Sequence, residues 1–270
     1  MVASAARNAE SLLAFWAEAG VEASYAEAAI DRLAEGEARL KAKAPVMPTP
    51  AHRPAAPAAR GPDVGAALAE ARAAAAACQD LEALAAAIAA FDGCPLKFEG
   101  AKQAVFSRGA PDAALMVIGE GPGAEEDQQG APFVGRAGKL LDRMLAAAGL
   151  TGRVFITNTV FWRPPGNRTP TPAEQVVCAP FLQRAIELVN PRMLMLAGGA
   201  AAKSVLKREE GILSLRGRWF EWTPEGDSGL SPLPALPTLH PAFLLRQSAA
   251  KKKAWADLLL LTERLDRPDR

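Results

Sequence analysis

The chain has 270 residues, of which 50% are hydrophobic and 23% are charged, and its formal net charge is +1. This composition excludes a fully disordered chain, and the length predicts one substantial domain with an appendage. No apolar run reaches the roughly 18 residues of a membrane-spanning helix, and residues 1–10 lack the basic-then-apolar pattern of a signal peptide. We therefore expect a cytoplasmic protein with no membrane partner.

Changes in composition divide the chain into three parts. Residues 1–43 carry apolar side chains at helical spacing among glutamates and arginines, which predicts a helical appendage. Residues 44–65 are almost entirely Pro, Ala, Arg and His, too poor in large apolar groups to fold, which predicts a semi-rigid linker. Residues 66–270 form the predicted main domain. Its Ala-rich helical start at 66–91 either caps the domain or continues the appendage.

Beyond Cys94, strand and helix patterns alternate along the chain. The predicted strands are short apolar runs at 115–118, 154–157, 193–196 and 236–239, and the predicted helices between them are 137–148, 172–189 and 200–206. This alternation predicts an α/β fold, a three-layer α/β/α sandwich with a mostly parallel central sheet and an N-terminal helical extension. In such sheets, ligands bind where strands end and loops begin.

The first polar loop follows the strand at 115–118. It spans residues 119–127, is rich in glycine and in acidic residues, and is closed by a Gly-Ala-Pro-Phe-Val-Gly segment at 130–135. Glycines let the backbone approach a ligand closely, whereas the carboxylates disfavour phosphate binding. An ordinary strand-to-helix turn is the alternative interpretation.

Two further polar loops follow the strands at 154–157 and 236–239. In the first, Asn158 can present an amide donor and a carbonyl acceptor to the edge of a base, or can cap a turn. In the second, His240 precedes two leucines and an arginine. A lone histidine is more often structural than catalytic. Neither loop identifies a function by itself.

Together, the three loops resemble those of the family 4 uracil-DNA glycosylases. The likeness is carried by residues 119–127 followed by GxPFVGxAGxLLD, then by TNxVxxRPPxNRxP, then by HPxxLLR, and it covers about residues 91–262. It implies an enzyme that flips uracil out of single- or double-stranded DNA and hydrolyses its N-glycosidic bond in base excision repair. A non-catalytic DNA- or nucleotide-binding module on the same fold is the alternative. Recruitment of a partner through residues 1–43 is compatible with either.

The resemblance also implies a uracil pocket. Phe133 would stack under the base, and Asn158 would hydrogen-bond its pairing edge. His240 would donate a hydrogen bond to the departing uracil, while a carboxylate positions water or stabilises positive charge on the sugar. The implied uracil-binding residues are Gly119, Gly121, Phe133 and Asn158, and the implied catalytic residues are Glu120, His240 and, secondarily, Glu126.

For DNA, the resemblance implies a wedge of Leu244 and Leu245 that fills the gap left by the flipped nucleotide, with Arg246 and Arg163 on the backbone. The alternative is that the two leucines begin a buried helix. The superfamily's best-known branch excludes thymine with a tyrosine, but the only tyrosine here is Tyr25 in the appendage. Exclusion of the thymine methyl would therefore fall to Glu126 or to another loop group.

The chain departs from the family at the iron–sulfur site. Family 4 members hold a four-iron, four-sulfur cluster on four cysteines; here Cys94 and Cys178 stand at the second and fourth positions, but Phe91 and Trp162 stand at the first and third. Two thiolates rarely hold such a cluster. The sequence therefore predicts that the protein holds no metal and no cofactor, and that aromatic packing replaces the cluster. We also expect the protein to be a monomer.

Overall fold

The computed structural model describes residue 31, residues 64–226 and residues 229–266. Those from 64 onward belong to one compact unit, Ala59–Arg270. The appendage predicted at 1–43 and the linker predicted at 44–65 lie outside the described residues, apart from residues 31, 64 and 65. No helix within the described ranges combines the length and the apolar character needed to cross a bilayer.

A six-stranded sheet forms the centre of the main domain. Its strands are β1 (Ser107–Gly109), β2 (Leu115–Gly119), β3 (Val154–Asn158), β4 (Met193–Ala197), β5 (Phe220–Trp222) and β6 (Leu233–Thr238). The order across the sheet is β1-β3-β2-β4-β6-β5, with the four inner strands parallel and each edge strand antiparallel to its neighbour. The prediction of a mostly parallel sheet is confirmed.

Helices cover both faces of this sheet. They are α1 (Val64–Ala77), α2 (Leu81–Ala90), α3 (Ala124–Gln129), α4 (Arg136–Ala147), α5 (Pro172–Val189), α6 (Gly199–Leu206), α7 (Ile212–Leu215), α8 (Pro241–Arg246) and α9 (Lys251–Leu265). The core on one face is shared with α1, α2, α5 and α6, and the core on the other face with α4 and α9. The predicted three-layer α/β/α architecture is therefore confirmed.

The inner strands are buried on both faces, which explains why continuous apolar runs identified them. In β2, Met116 and Ile118 enter one core, whereas Leu115 and Val117 enter the opposite one. The runs predicted at 115–118, 154–157 and 193–196 each extend one residue further in the structure. The strand predicted at 236–239 lies too far along the chain, because β6 begins at Leu233 and ends at Thr238.

The Ala-rich segment predicted at 66–91 forms two helices rather than one. They are α1 and α2, and Asp80 caps the second by accepting a hydrogen bond from the Ala83 amide at 2.7 Å. Both pack against α5. The segment is therefore packed against a helix that covers the central sheet.

The two edge strands were not predicted. Each has three residues and no apolar run, so neither carries the pattern of a buried strand. The position of β1 is fixed by tertiary contacts, because the Thr157 hydroxyl donates to the Phe106 carbonyl at 2.8 Å. This pairing places Arg108 opposite Ile156 on β3.

Candidate active site

The three predicted loops leave the same edge of the sheet. β2 ends at Gly119, β3 ends at Asn158 and β6 ends at Thr238, and the ladders β3-β2, β2-β4 and β4-β6 are all parallel. The carboxyl ends of these strands therefore lie side by side, where open α/β sheets bind their ligands.

Gly119 lies directly opposite Asn158 in the β2-β3 ladder. A Cβ atom at residue 119 would overlap Asn158 Oδ1 and would lie 2.5 Å from Cε2 and Cζ of Phe133. Only glycine leaves room for the carboxamide and the ring at this point. The structure thus brings together three of the residues that the sequence proposed for base binding.

Gly121, the fourth of those residues, is also restricted by close packing. A Cβ atom there would lie 2.8 Å from Val160 Cγ2 on the loop after β3. The first two loops are further joined by the Thr159 hydroxyl, which donates to the Glu120 carbonyl at 2.6 Å. The backbones of the two loops therefore approach each other closely along the pocket wall.

The carboxamide of Asn158 is buried and has no hydrogen-bond partner. The residue is 1% exposed, and neither Nδ2 nor Oδ1 meets a partner among the described residues. A buried polar group left without a partner costs about 1–3 kcal/mol, and such groups are rare in native structures. The carboxamide therefore offers a donor and an acceptor, side by side, that the protein leaves unused.

The ring of Phe133 is held next to this carboxamide by a strained backbone. Phe133 has φ of +55°, a left-handed conformation that costs a residue other than glycine roughly 1–2 kcal/mol. Arg108 donates to the Pro132 carbonyl from Nε at 2.8 Å and to the Phe133 carbonyl from Nη2 at 3.1 Å. A side chain at Gly138 would overlap that Phe133 carbonyl. No pattern in the sequence indicates this role of Arg108.

Glu126 braces the same loop. Its carboxylate accepts hydrogen bonds from the amides of Gly123 at 3.1 Å, Val134 at 3.0 Å and Gly135 at 2.9 Å. Both oxygens are thereby engaged with the backbone, so the structure gives Glu126 a bracing position. Glu120 is half-buried at the end of β2, and within the part of the chain that the structure describes its carboxylate forms no hydrogen bond. Of these two carboxylates, Glu120 is the one available for chemistry.

His240 presents a neutral hydrogen-bond donor to the pocket. Its Nδ1 accepts a hydrogen bond from the Ala242 amide at 3.1 Å, which places the proton of the neutral ring on Nε2. Burial, with the nearby positive charge of Arg246, lowers the pKa of His240 to about 4. The ring lies 5.6 Å from that of Phe133, measured between centroids. At neutral pH an uncharged N–H donor therefore lies beside the stacking ring.

The proposed leucine wedge needs a correction. Leu244 is fully buried in a cluster with Leu239 and Ala254, so its side chain anchors α8 to the core. Leu245 is 40% exposed and Arg246 is exposed. Successive residues on a helix point about 100° apart, so a pair of adjacent leucines divides between core and solvent. Only Leu245 remains as a candidate for entering DNA.

Arg163, also predicted to contact DNA, lies in the loop after β3. It is half-buried, and its Nε donates to Asn167 Oδ1 at 2.7 Å. This bond holds the arginine against its own loop, at the edge of the sheet where the other site residues lie. The contact fixes the position of Arg163 but does not reveal a ligand.

Comparison with known proteins agrees with this arrangement. Residues 106–259 match the sequence profile of the family described as the Uracil DNA glycosylase superfamily. The chain belongs to this superfamily. It is 40% identical over 155 residues to the type-4 uracil-DNA glycosylase of Thermotoga maritima, an alignment that covers 57% of this chain and 77% of that protein. It is 37% identical over 187 residues to that of Pyrobaculum aerophilum, covering 67% and 92% respectively.

The iron–sulfur cluster of type-4 members does not fit the residues of this superfamily member. The thiols of Cys94 and Cys178 lie 3.9 Å apart and are fully buried. Where the family has its other two cysteines, this chain has Phe91, whose ring packs 5.1 Å from that of Phe181, and Trp162, which is 1% exposed. In residues 64–226 and 229–266, no three Cys, His, Asp or Glu side chains gather as metal ligands would. A cluster of this kind requires four thiolates.

We predict that His240 stays neutral, with its proton on Nε2, down to about pH 5. Nitrogen-15 NMR of the imidazole, assigned with His240→Gln, measures both properties. Because the pKa falls from 6.5 in the unfolded chain to about 4 in the fold, the contribution of this group to stability is complete above pH 6.5. It decreases as the pH falls from 6.5 through 4, since the unfolded chain then binds a proton that the native state does not. Titration near 6.5, or a proton on Nδ1, would contradict the assignment.

Proposed function

We propose that this chain is a monofunctional uracil-DNA glycosylase that hydrolyses the N-glycosidic bond of uracil in DNA. The observation that carries this proposal is the buried carboxamide of Asn158, which lacks a partner. Uracil presents an N–H donor and a carbonyl acceptor along its pairing edge, and a carboxamide complements both at once. The similarity to type-4 uracil-DNA glycosylases supports the same conclusion.

The reaction depends on stabilising the negative charge that develops on the base as it departs. The bond between C1′ and uracil N1 breaks with its electron pair left on the base, while water adds to C1′ and loses a proton. The Nε2–H of His240 donates to the oxygen on which the negative charge develops. Because the ring is already neutral, it stabilises uracil as an anion and does not have to supply a proton. Phe133 stacks on the ring of the base.

Glu120 serves the sugar side of the reaction. An ionised carboxylate stabilises positive charge on the sugar and orients the attacking water. Glu126, which the sequence proposed as the second carboxylate, acts indirectly by holding the two amides that follow Phe133 and joining them to the amide of Gly123. No lysine occurs in the loops at 119–135, 157–168 or 239–246. Since strand cleavage by a glycosylase needs an amine nucleophile, the product is an intact strand with an abasic site.

DNA, single- or double-stranded, binds at the exposed end of α8. Leu245 fills the gap left by the flipped nucleotide, and Arg246 and Arg163 contact phosphates. Lys251, Lys252 and Lys253 are exposed at the start of α9 and extend this positive surface. The enzyme acts as a cytoplasmic monomer.

The enzyme works without an iron–sulfur cluster. Phe91 and Trp162, at the positions where the resemblance implies cysteines, are packed in the same core as Cys94 and Cys178.

The purified protein should release uracil from a uracil-containing oligonucleotide and leave the strand uncut. The matched thymine oligonucleotide should remain intact. Asn158→Ala and His240→Ala should each lower the single-turnover rate by about 100- to 1000-fold, roughly 2.7–4 kcal/mol, because each removes a contact that strengthens as charge develops. Gln128→Ala, which removes an exposed carboxamide on α3, is the control and should retain full activity. An absence of uracil release at micromolar enzyme contradicts the proposal, as does full activity of both site variants at unchanged thermal stability.

The protein purified without oxygen should be colourless and contain no stoichiometric iron. Trp162→Cys supplies a third thiol at a family position but should not restore iron, because a fourth ligand is still missing. It should instead lower the free energy of unfolding by about 3–5 kcal/mol, since it empties a buried aromatic site. Trp255→Cys, at a position that is 40% exposed, should be nearly neutral. Iron and sulfide in amounts equal to the protein would contradict this account.

A further inference from the structure

We infer that Arg108 is a positioning residue that sets the uracil-stacking ring of Phe133, an inference that rests on the proposed function. Arg108 lies on the edge strand β1, opposite Ile156 and two residues along the ladder from the level of Asn158. From there its side chain crosses to the loop that carries Phe133. The antiparallel edge strand thus contributes to the uracil pocket without touching the base.

The two carbonyls that Arg108 binds determine its effect. They belong to Pro132 and Phe133, so they lie in the two peptide planes that meet at the Phe133 Cα atom. Fixing both planes on one rigid guanidinium fixes φ and ψ of Phe133. The bonded conformation is the left-handed one, with φ of +55°, which phenylalanine does not adopt unless the surroundings hold it there. Arg108 is therefore a direct restraint on the direction of the ring.

The guanidinium is itself held in place from α4. Its Nη2 forms an ion pair with Asp142 Oδ1 at 2.6 Å. One turn earlier on the same helix, Gly138 lies against the Phe133 carbonyl, where any side chain would overlap it. Arg108, Asp142 and Gly138 therefore restrain the carbonyl side of Phe133. Glu126 restrains the next two amides of the chain from the opposite side.

A lysine at residue 108 would keep the charge but not the geometry. An ammonium is a point charge on a flexible stem, whereas the planar guanidinium donates along two fixed directions at once. Loss of the paired Nε and Nη2 donors would leave the charge beside Asp142 and would release the two peptide planes that meet at Phe133. If the ring is displaced by about 1 Å, the turnover rate should fall by up to about 100-fold, which is the effect that such displacements have in enzymes.

A double-mutant cycle on the full-length protein separates positioning from general stability. The variants are Arg108→Gln, Arg108→Lys, Phe133→Leu and the double variant Arg108→Gln with Phe133→Leu, measured by kcat/KM on uracil-containing oligonucleotide and by inhibition with free uracil. Arg143→Gln is the matched control, because Arg143 is exposed on α4 and, within the part of the chain that the structure describes, donates only to the Lys139 carbonyl of its own helix.

We expect Arg108→Gln to lower kcat/KM by about 10- to 100-fold and to weaken inhibition by free uracil in parallel. In the Phe133→Leu background the same change should cost less than about twofold, because the ring on which it acts is gone. Arg108→Lys should fall between wild type and Arg108→Gln, and it supplies the comparison if the glutamine variant does not fold. Arg143→Gln should behave as wild type.

A crystal structure of Arg108→Gln gives a readout that does not depend on turnover. Phe133 should leave the left-handed region of φ. If the double variant loses kcat/KM by the product of the two single losses, the inference is wrong. It is also wrong if φ of Phe133 is unchanged in Arg108→Gln. A wild-type protein that releases no uracil would instead contradict the proposed function, and the φ of Phe133 in the variant would still decide the role of Arg108.

Discussion

The buried carboxamide of Asn158 is the constraint on which the active site depends. Asn158 is the last residue of the buried strand β3, and the protein provides no partner for either polar atom of its carboxamide among the described residues. A buried polar group without a hydrogen-bond partner costs about 1–3 kcal/mol of stability. A ligand with a matching edge removes that cost on binding. The missing side chain at Gly119 leaves room for this carboxamide and for the ring of Phe133.

The surrounding residues maintain this unsatisfied amide and control charge beside it. The backbone around Phe133 is strained, yet it is restrained by Arg108 on its carbonyls and by Glu126 on the amides that follow. His240 is kept neutral by burial, so the pocket offers a donor that carries no charge. A neutral donor is worth most when the group it contacts becomes negative, since both are shielded from water. The geometry therefore favours the departing base over the bound one.

The buried part of the fold was predictable from the sequence because it follows simple patterns. Continuous apolar runs predicted the four inner strands, and the helix predicted at 172–189 has the bounds of α5. The short edge strand β1 carries no such pattern, because its position is decided by pairing with β3 and by the Thr157 contact. Arg108 was missed for the same reason.

The site residues were predictable where a loop motif placed them at a strand end. Asn158, Phe133 and His240 were proposed in this way, and the structure brings them together. The motif does not describe which side of a helix faces the core, so it assigned Leu244 to DNA when the fold buries it. It also cannot separate a carboxylate that braces a loop from one that acts on substrate, a distinction that depends on the three amides around Glu126.

The most direct test of this account is a crystal structure of the protein soaked with uracil. We predict that uracil lies against the Phe133 ring, with Asn158 Nδ2 and Oδ1 at hydrogen-bond distances of about 2.7–3.2 Å from its pairing edge. His240 Nε2 should lie at a similar distance from a uracil oxygen. Uracil bound elsewhere, or an Asn158 carboxamide that remains without a partner in the presence of saturating uracil, would contradict the central claim.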